Sequence, residues 1–281
     1  MSFIRYELVL RKQMVEDWKR HVLFTLVMML IFFMTFWSVN WIVGMMPETE
    51  SAMSGSDIDV KSLISVIYKF AIFIGVTSIA VAYQSAHSMP FMRSKGLQTQ
   101  HAVLPASNVE KYGVVLTVSL VISVLESVIA LLIADLFQYL MTGLSFFSQF
   151  SSVDFELLLK TVPNVALVRQ IVTLLICVSV MSIFLSSGWF TLSATVFRKH
   201  PFLMGVLIYW GISQLLNIAL FSYSQYLMNF LTMVSVHFQG ITDVEALHEL
   251  RNASIVLFVA MAVLTLVFWF WGYKRMSKSE L

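Results

Sequence analysis

Long apolar runs separated by short polar stretches dominate this chain. They show neither the period-two alternation of a half-buried strand nor the one-sided spacing of a soluble amphipathic helix. Six runs stand out: Val22 to Met46, Leu63 to Ala86, Gly113 to Thr142, Leu167 to Phe197, Phe202 to Phe230 and Ala253 to Tyr273. A helix of about 20 residues crosses an apolar core of about 30 Å, so each run is long enough to span a bilayer, and the longest require tilt or extension beyond it. The pattern predicts an all-α polytopic membrane protein, a single transmembrane domain over residues 1–281 with six transmembrane helices.

Residues 3–20 follow a different rule. Phe3, Ile4, Leu8, Met14, Val15 and Trp18 alternate with Arg5, Glu7, Arg11, Lys12, Glu16, Asp17, Lys19 and Arg20. Basic side chains on such a segment snorkel to anionic headgroups while the rings sit at the interface, which predicts an N-terminal interfacial helix. A solvated extension of the first transmembrane helix is the alternative. The segment is too charged to be the apolar core of a cleaved signal peptide.

Composition sharpens the class. The 281 residues are 58% hydrophobic and 12% charged, and the mean hydropathy is +0.82, whereas a soluble domain is about one quarter charged. The net charge of +2 is dispersed, so no nucleic-acid partner is expected. Cys177 lies inside an apolar run, where a lone thiol packs as a small hydrophobe.

Lysine and arginine set the orientation. With the N-terminus inside, the inner segments hold Arg5, Arg11, Lys12, Lys19, Arg20, Arg93, Lys95, Lys111, Arg198, Lys199, Lys274, Arg275 and Lys278, and the outer ones only Lys61, Lys160 and Arg251, a bias of 13 to 3. That bias predicts that both termini lie on the cytoplasmic side. The outer loops lean acidic, through Glu48, Glu50, Asp57, Asp59, Asp154, Glu156, Asp243, Glu245 and Glu249. Thr242 and Glu245 have capping-box spacing, predicting a short outer helix before the last span.

The inner segment 87–112 is the most informative polar stretch. Met89, Phe91, Met92 and Leu97 form an apolar cluster beside Arg93 and Lys95, suited to a groove on a partner. Pro105 prevents a continuous helix through the loop. Ser107 and Glu110 have the S-x-x-E spacing that caps the third span.

Enzymatic chemistry has no visible seat. None of the 11 glycines is followed by lysine, so no phosphate loop is present, and Asn252 stands where a second histidine would complete a zinc motif after His248 and Glu249. His21, His87, His101, His200, His237 and His248 are scattered. No catalytic residue, cofactor or metal site is expected.

Four ionisable residues lie inside the spans: Lys69, Glu126, Asp135 and Arg169. A charge in hydrocarbon needs a partner or a watery cavity. Depth counted from Gly113 matches Glu126 with Lys69 and Asp135 with Arg169, and nine residues at about 100° each put the two carboxylates on opposite sides of their helix. Two inter-helix charge pairs are therefore expected; in the alternative Lys69 and Arg169 snorkel outward, Asp135 lies in the headgroups, and Glu126 is protonated or bonded to a polar neighbour. Gln84, Gln138, Gln214, Asn217, Gln225 and Asn229 are expected to bond between helices.

The run Leu104-Pro105-Ala106-Ser107-Asn108-Val109-Glu110-Lys111-Tyr112, following Ser94-Lys95, resembles the LPAS-x-x-EK-[FY] motif of small permease-like membrane proteins of Bacteroidetes. In outline the whole chain resembles the permease subunits of the type-2 ABC transporter superfamily. The resemblance implies a homodimer or a heterodimer with a second permease, working as an exporter in a bacterial inner membrane and energised by a separate ABC ATPase. It also implies that residues 87–112 form the coupling element touching that ATPase. The family's outer re-entrant segment finds only a loose match over Leu231 to Asn252. Two other classes stand beside this one: a non-transporting membrane protein, such as a sensor partner or bacteriocin-immunity factor, and an intramembrane enzyme.

Overall fold

A computed structural model describes residues 3–45, 60–89, 104, 106–143, 145–152, 165–197, 199–219 and 244–279. The described residues are helical, with no strand among them. The elements are α1 (Phe3–Gly44), α2 (Val60–His87), α3 (Asn108–Thr142), the short α4 (Phe146–Ser152), α5 (Val165–Val196), α6 (Pro201–Ala219) and α7 (Val244–Ser279). Of these, α1, α2, α3, α5 and α7 are each long and apolar enough to cross a membrane. Those lengths and compositions are those of a multi-pass membrane protein. The expected fifth span, 202–230, is helical through Ala219, and its remaining residues lie outside those described.

Helix ends follow local chemistry. Ser107 caps α3: its hydroxyl accepts from the Glu110 amide at 3.3 Å while its own amide donates to Glu110 Oε2 at 2.9 Å, the reciprocal box expected from the spacing. Gly143 closes α3 in the left-handed region (φ +70°), its amide donating to the Tyr139 carbonyl at 2.8 Å. Between α5 and α6 the chain turns through His200 (φ +52°) directly into Pro201. Ser193 Oγ donates to the Pro201 carbonyl and Trp189 Nε1 to the Gly205 carbonyl, fastening α6 onto α5.

α1 is one unbroken helix of 42 residues, about 63 Å at 1.5 Å per residue. The separate interfacial helix expected at 3–20 is thus continuous with the first span. Tyr6, Val9, Leu10 and Met14 pack on Ala106, Val114, Val118 and Ile122 of the α3 end, while Ile4, Leu8, Val15 and Trp18 stay exposed. The last helix is likewise continuous from Val244: Leu247 and Leu250 pack on Ile171 of α5 instead of forming a short helix of their own.

Lipid offers no hydrophobic gain for burying one apolar helix against another, so packing depends on close van der Waals fit and small residues. Ala80, Ala130 and Ala134 let Phe32 and Phe36 of α1 nest among α2 and α3, with Phe146 of α4 closing the cluster. On the most extensive interface, α5 with α7, Gly188 lies against Phe268 and the Thr265 carbonyl; a Cβ there would stand 3.3 Å from each. Cys177, expected to pack, is instead exposed on the surface of α5.

Contacts fix the sense of the bundle. The starts of α1 and α3 and the end of α7 meet at one end, through the Tyr6–Thr117 hydroxyl contact and the cluster of Met89, Tyr112, Val115, Ala194 and Met276. The start of α1 and the end of α7 therefore lie at the same end of the bundle as the start of α3.

Candidate functional site

Two buried polar centres lie within the bundle, and neither is the pair expected from depth. The first joins α1, α2 and α3. His21 Nδ1 lies 2.5 Å from Glu126 Oε1, and Gln84 Nε2 donates to Glu126 Oε2 at 3.3 Å. Arg20 donates to Gln84 Oε1 at 3.4 Å and pairs with Asp17 at 3.3 Å. Arginine can only donate, which fixes the Gln84 amide with its oxygen toward Arg20 and its nitrogen toward Glu126. The glutamate is thus contacted by side chains from two other helices.

The second centre lies fifteen residues along α2, about 22 Å away at 1.5 Å per residue. Lys69 is fully buried, donates to Gln149 Oε1 of α4 at 2.6 Å, and sits over the Phe36 ring at 5.6 Å. Ser65 donates to the same Gln149 oxygen at 3.1 Å and lies 3.5 Å from Asn40 Oδ1. Asp135 Oδ1 accepts the Phe146 amide at 2.6 Å. Asp135 and Lys69 are near enough for their charges to attract, without an ion-pair contact between them. Both act on α4, one at its first residue and one at its fourth.

The expected Lys69–Glu126 pair is therefore replaced by Lys69–Gln149 and Glu126–His21, and the expected Asp135–Arg169 pair by Asp135 with the α4 backbone. Arg169 is exposed on α5. The physical reason lies in what the apolar onset of α3 means. Val114, Val115 and Val118 are apolar because they are buried by α1, α5 and α7, so Gly113 does not mark the edge of the lipid. Counting depth from it displaces Glu126 toward the wrong end of α2.

Beside the first centre α3 widens into a π-helical stretch, Thr117–Ile122. Thr117, Ser119 and Ser123 donate to the carbonyls of Gly113, Leu116 and Val118, giving the loosened turns alternative bonds. Single π turns concentrate at functional positions.

Of the expected coupling residues, Ser107 and Glu110 form their capping box as anticipated. Met89, expected in an exposed cluster, is buried against Tyr112, Val115, Ala194 and Met276. Phe91, Met92, Arg93, Lys95, Leu97 and Pro105 lie outside the described residues, as do Thr242 and Asp243. Among the described residues no group of three or more metal-ligating side chains converges. His21 and Gln149 escaped the sequence reading. Each is an ordinary polar residue until folding supplies its charged partner.

No protein-family model matches the chain, and neither a curated protein nor a solved structure matches it.

Proposed function

We propose that the chain is the membrane-spanning permease subunit of an ATP-driven exporter of the type-2 ABC class, energised by a separate ATPase and paired with a second permease. In this reading it crosses a bacterial inner membrane six times with both termini cytoplasmic. The first half of α1 continues the span past the inner lipid surface, with the exposed Trp18 and the basic Arg11, Lys12 and Lys19 available to the headgroups there. The chain itself carries no phosphate loop, so ATP hydrolysis belongs to the partner.

One observation carries the reading: the loop between α2 and α3 is anchored on both sides. Ser88 and Met89 are buried at its start, and the Ser107/Glu110 box fixes its end, at the end of the bundle shared by the starts of α1 and α3 and the finish of α7. In this reading the described residues on either side of the loop couple it to α2 and α3. The second reading, a non-transporting membrane protein such as a sensor partner or immunity factor, is favoured by the use of Lys69, Glu126 and Asp135 to join helices. Purifying the tagged chain from native membranes in mild detergent separates the two. An ATP-binding subunit retained in stoichiometric amount supports the permease, and a chain recovered without one supports the alternative.

A further inference from the structure

We infer that the π-helical stretch Thr117–Ile122 holds one surplus residue of α3, and that this residue makes the start of α3 a separately docked piece that swivels against the rest. The burial pattern counts it. Past the stretch, buried positions recur every seven residues: Ser123 and Ala130, Ser127 and Ala134, Leu131 and Gln138. Seven residues are close to two turns at 3.6 per turn, so each pair lies on one face. Across the stretch the interval becomes eight, in the buried pairs Val115 and Ser123, Val118 and Glu126, and Ser119 and Ser127. Seven residues on from the buried Val114 and Val118 stand Val121 and Leu125, which are 48% and 52% exposed. A π turn closes on the fifth residue back instead of the fourth, and so absorbs one extra residue. Side chains mark the place. Ser127 Oγ donates to the carbonyl four residues back, that of Ser123 at 2.9 Å, whereas Ser123 Oγ donates five back, to Val118 at 3.3 Å.

Without the extra residue, a uniform helix would turn the start of α3 by about 100° from the face it now shows. Both faces have fixed partners. Tyr112 and Val115 pack on Ala194 of α5 and Met276 of α7, and Val114 and Val118 pack on Val9 of α1. Beyond the stretch, Glu126 meets His21 and Gln84, while Ala130 and Ala134 lie in the cluster with Phe32 and Phe36. The surplus residue lets one helix satisfy both sets at once. Within the stretch and its borders, the hydroxyls of Thr117, Ser119 and Ser123 donate to the carbonyls of Gly113, Leu116 and Val118. Such local bonds compete with the backbone ladder, so the extra residue can move along these turns while their carbonyls keep donors. Moving it turns the start of α3 while the Glu126 layer stays in place. The Ser107/Glu110 box, the foot of the preceding loop, rides on the piece that turns. The swivel holds whatever partner that loop meets, and so does not rest on the transporter reading.

Single-residue deletions in the full chain, followed by thermal denaturation in lipid nanodiscs, test the surplus residue. Deleting Val121 brings the pairs across the stretch to seven residues apart, and the midpoint should stay within about 3 °C of the wild type. Deleting Ile129, which is 49% exposed, instead leaves the surplus in place and sets Ser123 and Ala130, and Ser127 and Ala134, six apart. That deletion should lower the midpoint by about 10 °C or more, or prevent folding. Equal losses from the two deletions overturn the inference. Hydrogen exchange of the wild type tests the swivel without any variant. The amides of residues 117–123 should exchange at least about tenfold faster than those of the turns on both sides of them. Protection there equal to that of the neighbouring turns contradicts the swivel.

Discussion

Tyr112, in the first turns of α3, donates its hydroxyl to the Trp269 carbonyl of α7 at 2.8 Å, and Gly272 is the residue that makes room for it. A Cβ at 272 would stand 2.8 Å from the Tyr112 hydroxyl oxygen. Gly272→Ala should therefore cost about 1–3 kcal/mol in detergent thermal denaturation. In a Tyr112→Phe background the same change should cost markedly less, because the obstructing oxygen is gone. Gly75→Ala and Gly211→Ala, where a Cβ meets nothing within 4 Å, should be tolerated. Equal losses at all three glycines would remove the Tyr112–Trp269 joint from the account.

The second buried centre predicts a coupling that charge pairing does not. Gln149→Leu leaves the Lys69 ammonium without its oxygen acceptor and should destabilise by about 2–3 kcal/mol. Adding Lys69→Met should recover much of that loss, since an apolar pair of similar volume needs no partner. Lys69→Met combined with Glu126→Gln should instead be additive, as expected for residues that share no contact. Coupling between Lys69 and Glu126 in a double-mutant cycle would contradict the two-centre arrangement.

The capping box gives a local prediction. Ser107→Ala should cost about 1 kcal/mol and speed hydrogen exchange at the amides of the first turn of α3, while Ser107→Asp should preserve both. Unchanged exchange in the alanine variant would mean that the loop is ordered by other contacts.

How far the sequence could be read depended on the range of the interaction. The Ser107/Glu110 box was legible because its partners are three residues apart. The long helices were legible because length and hydropathy are properties of single segments. Partners across helices were not, because apolar residues facing protein and apolar residues facing lipid look alike in sequence: Val114 and Val118 belong to the first kind, Leu132 and Leu136 to the second. Gln84, expected to bond between helices, does so with Glu126, whereas His21 and Gln149 carry no signal alone and become a site only where Glu126 and Lys69 arrive from other helices. α4 had one local cue, the Ser145/Ser148 spacing, whose hydroxyl and amide bonds form as an N-terminal cap.

The proposed topology rests on the charge bias. Cysteine labelling should find positions 95 and 199 and the C-terminus on the inner side, and positions 55 and 155 on the outer side. An outward C-terminus would remove the six-crossing arrangement.

The most direct test of the transporter account asks what the loop between α2 and α3 touches. A photo-reactive amino acid placed at position 92, in the intact chain in native membranes, should cross-link to an ATP-binding protein, and Phe91→Asp should abolish the adduct while leaving membrane insertion unchanged. Adducts to lipid alone, with no ATP-binding protein captured, would show that this loop rests on the membrane surface and would contradict the permease reading.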